Sequence, residues 1–207
     1  MNKLVSLMVA IVLLTSCGLL NKKDKYVSYR SFINKADYPE TYDVYISKAL
    51  MRIANPKNTS IEIDTYTQRL KLKVLGRVAL DTPATTGSAH KKDINDGLFA
   101  SKETPSGEFE ITEKIESKRS TLYGDIIINN RVVYTGERLK FTAPYDRYEG
   151  VKMPYWMRFN KSIGMHQSEA VSRYPGSNGC VRLPMDSVKK VYAVVKVGTK
   201  VKVMSSR

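Results

Sequence analysis

The chain contains two short stretches that together hold the groups a cysteine nucleophile requires: Met165-His166-Gln167-Ser168 and Ser177-Asn178-Gly179-Cys180-Val181-Arg182. Such a nucleophile needs a base, backbone N–H donors for the oxyanion and a backbone shape that presents the sulfur. Residues 173–179 are rich in turn-forming types, so a strand ending at His166 can lie beside Cys180. Gly179 removes a Cβ where a substrate carbonyl must come close. Taken alone, the pair leaves open an inert buried cysteine and an ordinary hydrogen-bonded histidine.

The order of residues decides between these readings because it resembles the signature of the L,D-transpeptidase (YkuD-like) family. That signature is a histidine, a variable stretch, then Ser/Thr-His-Gly-Cys, a hydrophobic residue and Arg or Asn. The matching positions are His166, Ser177, Gly179, Cys180, Val181 and Arg182. Asn178 stands where the family usually has a second histidine, and the interval from His166 to Cys180 is a little short. The resemblance implies a mainly β fold, an L,D-transpeptidase-type β-sandwich or barrel-like sheet, with an N-terminal helix and one helix after the catalytic cysteine.

Further matches extend the resemblance from about Ser60 to Met204. An Asp-x-x-x-Gln-x-Leu run at Asp64 precedes a strand, Thr85-Thr86-Gly87 resembles the small-residue turn that follows, and Thr104-Pro105-Ser106-Gly107 resembles a second signature. The last of these is also a turn for a physical reason, since proline fixes φ and glycine supplies a left-handed position.

Hydrophobic periodicity predicts the elements around these motifs. Alternation predicts strands, which are Ile61–Asp64, Leu70–Val74, Arg77–Leu80, Glu108–Ile111 and Thr199–Met204, and a hairpin of Tyr123–Ile128 with Arg131–Thr135 across Asn129-Asn130. A 3.6-residue period predicts a helix over Asp37–Ala54 that Asp37 caps. A second helix begins with Asp186 as its N-cap and buries Val188, Val191, Tyr192 and Val195.

The N-terminus reads as a bacterial secretion signal. Lys3 is followed by an apolar run from Leu4 to Leu14 that is too short to span a bilayer. Leu14-Thr15-Ser16-Cys17 resembles the lipobox of bacterial lipoproteins, in which the cysteine is lipidated and begins the mature chain. The alternative is an ordinary signal peptide with an incidental cysteine.

We therefore expect a lipoprotein signal peptide at 1–16, a tether at 17–36, an N-terminal helix at 37–56 and an L,D-transpeptidase catalytic domain at 57–207. The expected location is the cell envelope, with lipidated Cys17 in the inner or outer membrane and the domain on the periplasmic face.

Charge and cysteine usage agree with export. The formal net charge of +14 favours polyanionic surroundings, namely nucleic acid, anionic lipid or an anionic polymer such as a cell wall. Export argues against nucleic acid as a partner. If Cys17 carries lipid, Cys180 is a single unpaired thiol in an oxidising compartment, which supports a catalytic role. His90 has no Cys or acidic residue at metal-ligand spacing, so we expect neither a metal nor a cofactor. We expect a monomer.

The resemblance implies a reaction on peptidoglycan. Cys180 attacks the bond between a diamino acid and the terminal D-alanine of a tetrapeptide stem, and an amine of a neighbouring stem resolves the acyl-enzyme into a 3→3 cross-link. We expect His166 to take the thiol proton, to lower the thiol pKa and to return the proton to the leaving amine. A backbone carbonyl near Gln167 or Ser168 should orient its ring.

Other residues are assigned supporting roles. The N–H groups of Gly179 and Cys180 are the expected oxyanion donors, with support from Ser177 and the Asn178 amide. Arg182 either pairs with a substrate carboxylate or forms a structural salt bridge. By resemblance, Tyr155 and Trp156 line the substrate cleft, with core packing as the alternative.

Two further functional readings stay open. Water could resolve the same acyl-enzyme, which gives an L,D-carboxypeptidase or an endopeptidase. The chain could instead be a non-catalytic peptidoglycan-binding lipoprotein, although such a protein has no need of a free cysteine opposite a histidine.

Overall fold

The computed structural model describes residues 27–88 and 102–205. The predictions on the signal peptide, Cys17 and His90 fall outside these residues. The chain divides into two compact units, one up to Lys35 and one from Ala36 onward. In the first unit, helix α1 (Tyr29–Ile33) begins at the N-cap Ser28, whose hydroxyl accepts a hydrogen bond from a backbone N–H in its first turn. Within the two described ranges, no helix is both long and apolar enough to cross a membrane.

The second unit is built mainly from strands. They are β1 (Tyr45–Ile46), β2 (Thr59–Asp64), β3 (Arg69–Val74), β4 (Arg77–Pro83), β5 (Gly107–Glu110), β6 (Glu113–Ile128), β7 (Arg131–Glu137), β8 (Arg147–Asn160), β9 (Ile163–Gln167), β10 (Val181–Leu183) and β11 (Lys200–Met204). Helix α2 (Lys48–Ile53), a 3-10 turn (Arg138–Lys140) and helix α3 (Met185–Val194) complete it. The predicted mainly β fold, with a helix after Cys180, is confirmed.

The strands form two sheets. One sheet has the order β1-β4-β3-β2-β11-β5, and the other has the order β10-β9-β8-β6-β7. Most neighbours are antiparallel, but β11 runs parallel to β2 and β10 runs parallel to β9. The predicted hairpin is confirmed, because β6 pairs with β7 across Asn129 and Asn130, which have φ of 50° and 56°.

The core draws side chains from both sheets and from α3. Alternate residues supply it, as expected for strands with one buried face. Its members include Ile61, Leu72, Leu80, Met157, Met165, Val181, Leu183, Val188, Val191 and Val195. Because Met165, Val181 and Leu183 point into this core, their neighbours in β9 and β10 must point away from it.

The predicted helix over 37–56 is wrong for most of its length. This segment contains β1, paired with β4, and the helix α2 begins only after Ser47, whose hydroxyl accepts from the Leu50 N–H. The carbonyls of Pro39, Thr41 and Asp43 accept hydrogen bonds from the Arg69 guanidinium rather than from N–H groups of a helix. A side chain distant in sequence therefore overrides the local periodicity.

Asp186 is not the N-cap of α3 either. The cap is Pro184, and Asp186 lies in the first helical turn, where its negative charge still suits the helix dipole.

Candidate active site

Parallel pairing of β9 and β10 brings the two conspicuous sequence stretches together. In this register Met165 is opposite Val181 and His166 is opposite Arg182. Since Met165 and Val181 are fully buried in the core, His166 and Arg182 share the other face of the sheet. Cys180 directly precedes β10, on the same alternation as Arg182. The pairing that the turn at 173–179 predicted is thus present.

The Cys180 sulfur lies in a largely desolvated position beside β9. Burial raises the pKa of the Cys180 thiol, and this outweighs two effects that lower it, a hydrogen bond from the backbone of Gly164 and the positive charge of Arg182. The Gly164 group must be its N–H, because only a donor stabilises a thiolate. The expected lowering of this pKa by His166 is wrong for the resting protein, in which the thiol is protonated at neutral pH.

His166 is held in one tautomer. Its Nδ1 lies 2.7 Å from the carbonyl oxygen of Gln167, and a carbonyl can only accept, so Nδ1 carries the proton. The expected orienting carbonyl is confirmed. Nε2 is left as the basic nitrogen. Burial lowers the pKa of His166, the Gln167 carbonyl raises it and Arg182 lowers it further, so the imidazole is neutral at neutral pH.

A neutral thiol and a neutral imidazole on the same face of the sheet limit how the pair can act. If this sulfur attacks an electrophile, its proton has to move to Nε2 during the attack, because it does not reside there beforehand. This is general-base chemistry, in which no standing thiolate–imidazolium pair is stored in the site.

The Ser177 hydroxyl ties the loop before Cys180. It accepts a hydrogen bond from the Gly179 N–H at 3.1 Å and donates to the carbonyl of Cys180. Gly179 has φ of +106°, which side-chain-bearing residues rarely adopt. The Gly179 N–H is therefore engaged within the loop, and of the two expected oxyanion donors it leaves the Cys180 N–H. Asn178 is exposed at the tip of the loop.

Arg182 is partly buried and fixed through its backbone, which exchanges two hydrogen bonds with Thr85 at 2.9 and 3.0 Å. None of the ion pairs formed within the described part of the chain includes its guanidinium. The structural salt bridge that the sequence left open is thus not seen there. The role of Arg182 toward a substrate carboxylate stays a prediction.

The two aromatic residues assigned to the cleft differ in position. Trp156 is 3% exposed, lies with its ring 6.1 Å from the His166 ring and donates its indole N–H to Glu113 at 2.8 Å. Tyr155 packs against the core and meets Tyr192 of α3 edge-on at 5.4 Å. Trp156 therefore supports the face of the histidine. Substrate contact by either residue stays a prediction.

Trp156 depends on a glycine for its place. A Cβ at Gly164 would lie 2.8 Å from the Trp156 ring and 2.6 Å from the Met157 carbonyl. Gly164 thus admits the indole, and its backbone also acts to lower the pKa of the Cys180 thiol. Sequence reasoning missed both Gly164 and Glu113, because neither stands in a recognisable motif and their roles arise only from strand pairing.

Thr104 was also read too narrowly, as a turn residue. It is 5% exposed, and its hydroxyl accepts a hydrogen bond from the Gly87 N–H and donates one to the Gly179 carbonyl, in the loop before Cys180.

Across residues 27–88 and 102–205 there is no cluster of three or more His, Cys, Asp or Glu side chains that could hold a metal.

Comparison with known proteins agrees with this geometry. Residues 58–203 match YkuD, the L,D-transpeptidase catalytic domain. The fold is similar to that of an L,D-transpeptidase from Xylanimonas cellulosilytica (21% identity, TM-score 0.53, covering 73% of this chain and 61% of that one). It is also similar to that of one from Stackebrandtia nassauensis (23% identity, TM-score 0.51, covering 77% and 62%). This chain therefore spans about three fifths of the length of those proteins. No functionally curated protein is similar to it at a significant level.

Proposed function

This chain belongs to the YkuD family of L,D-transpeptidase catalytic domains, and on that premise we propose that it is a cysteine L,D-transpeptidase acting on peptidoglycan stem peptides. One observation carries the proposal: a histidine locked by the Gln167 carbonyl, with its basic nitrogen free, shares a sheet face with a cysteine. An inert buried cysteine has no need of a base held in this way.

The proposed reaction has two halves. The Cys180 sulfur attacks the carbonyl carbon between the diamino acid and the terminal D-alanine while His166 Nε2 takes the thiol proton. The C–N bond then breaks, Nε2 returns the proton to the departing D-alanine amine, and a thioester remains. An amine of a second stem gives its proton to Nε2, attacks the thioester carbon and forms the new amide, and Cys180 recovers its proton.

The positive charge of the site and of the chain supports a negatively charged stem peptide as the acyl donor. Arg182 lies close enough to lower the pKa values of both Cys180 and His166. Its guanidinium is a suitable fork for a stem-peptide carboxylate beside the scissile bond. The surplus of basic residues over the whole chain suits a polyanionic wall, and no nucleic-acid partner is proposed.

The decisive assay is mass spectrometry of the products formed from purified disaccharide-tetrapeptide. A cross-linked dimer with release of D-alanine supports the proposal. A tripeptide product without a dimer indicates a carboxypeptidase, cleavage of an added cross-linked dimer indicates an endopeptidase, and no product indicates a wall-binding protein. Cys180→Ser is the control that must lose every product.

Two variants separate the roles of the histidine and of Asn178. His166→Ala should abolish turnover, because it removes the base proposed to take the thiol proton. Asn178→Ala should lower turnover only modestly, since Asn178 is exposed and its proposed part is limited to hydrogen bonding through its side-chain amide. Equal losses in both variants would show that these roles are assigned wrongly.

A covalent probe tests the nucleophile without a peptide acceptor. The family resemblance implies that carbapenems are the β-lactams most suited to acylate Cys180. Intact-mass measurement should show one adduct per chain, absent in Cys180→Ser and slowed in His166→Ala. An adduct that persists in Cys180→Ser would move the chemistry to another residue.

Anchoring is a separate proposal. Leu14-Thr15-Ser16-Cys17 motivates lipidation of Cys17 and residence in the cell envelope. Gly18 lacks the acidic side chain that often retains lipoproteins in an inner membrane, which favours an outer membrane where one exists. Cys17→Ala should yield an unprocessed or soluble form, and unchanged mass and membrane fractionation would exclude lipidation.

A further inference from the structure

The peptide group that joins Gly179 to Cys180 is held at its carbonyl end by Thr104. The Thr104 hydroxyl donates to the Gly179 carbonyl oxygen at 2.7 Å. In a trans peptide the C=O and the N–H point in opposite directions, so a fixed carbonyl also fixes where the Cys180 N–H points. This N–H belongs to the nucleophile itself and is the oxyanion donor that the Ser177 contact leaves available.

The direction of the Thr104 hydroxyl is itself determined. Its oxygen accepts the Gly87 N–H at 2.8 Å, so its single proton is directed to Gly179. The backbones are too close for adjustment, because a Cβ on Gly87 would lie 2.7 Å from the Gly179 Cα. With 5% of Thr104 exposed, water has little access to compete for these bonds.

The segment after β4 that carries Gly87 is anchored in turn. Buried Gln68 accepts from the Thr86 N–H at 2.8 Å and donates to the Thr86 hydroxyl at 2.7 Å. The Thr86 carbonyl receives the N–H groups of Gly176 and Ser177 at 2.9 and 3.1 Å. Hydrogen bonds therefore link Gln68, which directly precedes β3, through Thr86 to the loop before Cys180.

We propose that Thr104 is a positioning residue that aims the Cys180 N–H at the developing oxyanion. This inference rests on the proposed acyl transfer, but it assigns a role to a residue that takes no part in the chemical steps. Thr104 touches neither the substrate nor the reacting atoms. It acts by preventing rotation of one peptide plane, so its loss should slow acylation without changing the nucleophilicity of the sulfur.

The test compares two reactions of the Cys180 thiol in the full chain, and both are followed at Cys180 itself by peptide mass spectrometry because Cys17 is a second cysteine. Carbapenem acylation builds negative charge on a carbonyl oxygen, whereas alkylation by iodoacetamide displaces iodide and needs no oxyanion donor. Thr104→Val should slow acylation by about 10- to 100-fold, because misdirecting an oxyanion donor should cost no more than deleting one, which lowers rates by about 100- to 1,000-fold. The alkylation rate should stay within about twofold of wild type. Thr104→Ser should recover most of the acylation rate because it restores the hydroxyl.

Thr82→Val is the matched control. The Thr82 hydroxyl is buried like that of Thr104, but it donates to Ser187 of α3 at 2.7 Å, with the Pro83 carbonyl at 3.4 Å, rather than to the loop before Cys180. It should lower the melting temperature without slowing acylation. Rates are measured well below the melting temperature of every variant. Equal acylation of Thr104→Val and wild type, or a parallel loss of acylation and alkylation, overturns the inference.

A spectroscopic readout separates this inference from the proposed function. The amide nitrogen shift of Cys180 senses the hydrogen bond to the preceding carbonyl, so Thr104→Val should move this resonance and Thr82→Val should not. If the wild type is neither acylated nor active on stem peptides, the proposed function fails while this measurement still decides on Thr104. An unmoved Cys180 resonance in Thr104→Val refutes the positioning role.

Discussion

Arg69 offers the sharpest test of how the second unit holds residues 39–43, which lie before its first strand. Its side chain and that of Asp81 are both 0% exposed, and Nε lies 2.6 Å from the Asp81 carboxylate. Three further guanidinium N–H groups donate to backbone carbonyls at 2.7 to 3.1 Å, namely those of Pro39, Thr41 and Asp43. One cation therefore neutralises a buried carboxylate and also secures the segment that replaces the expected helix.

Arg69→Met keeps much of the apolar bulk but removes the charge and all five donors. Asp81 is then left as a buried carboxylate without this partner, and removing one member of a buried pair costs about 3–5 kcal/mol. Folded proteins are stable by only about 5–15 kcal/mol, so this loss is a large part of the total. We expect the free energy of unfolding to fall by about 3–5 kcal/mol.

Urea unfolding followed by circular dichroism at pH 7 measures this loss. Lys73→Met is the matched control, because Lys73 pairs with Glu62 on the same sheet but is 29% exposed, and such pairs contribute about 0–1 kcal/mol. The double variant Arg69→Met/Asp81→Asn should be more stable than Arg69→Met alone, because the substituted amide carries no charge to bury. A cost in Arg69→Met no larger than that in Lys73→Met would refute the reasoning.

The site and α3 give three further predictions. Because burial raises the Cys180 pKa, the rate at which iodoacetamide alkylates Cys180 should still be rising at pH 9.0. Arg182→Gln removes a positive charge that lowers this pKa, so it should slow alkylation at any fixed pH below 9.0. An alkylation rate that levels off near neutral pH would contradict the raised pKa. The folded-state pKa of His166 is lowered, so its contribution to stability is full above the unfolded value of 6.5 and is lost as the pH falls. Urea unfolding of wild type between pH 7 and 5 should therefore show a loss that His166→Asn lacks, and identical pH dependence would exclude it. Lys114 donates to two carbonyls at the end of α3, those of Tyr192 and Val195 at 2.7 and 2.6 Å, so Lys114→Met should cost about 1–3 kcal/mol in thermal unfolding, whereas Lys189→Met on the exposed face of α3 should cost little.

Local patterns in the sequence were enough for most strands and for the pairing at the site. Strict alternation identified β2, β3 and β11 because each buries one face, and a strand then repeats every second residue. Asn129-Asn130 predicted its hairpin because Asn tolerates the positive φ that the turn requires. His166 and Cys180 could be paired because a turn separates them, so their proximity is decided by neighbours in sequence.

Tertiary structure decided whatever depends on partners far along the chain. The segment after Asp37 has helical periodicity, yet Arg69 binds its carbonyls, and a buried cation without those acceptors would cost more than the helix gains. The sequence predicted a thiol activated by His166, whereas burial controls the Cys180 pKa because desolvation is set by the packing of both sheets. Gly164, Thr104 and Glu113 are ordinary residues by type. They serve the site only because the tertiary fold brings Gly164 beside Cys180, Thr104 onto the Gly179 carbonyl and Glu113 onto the indole of Trp156.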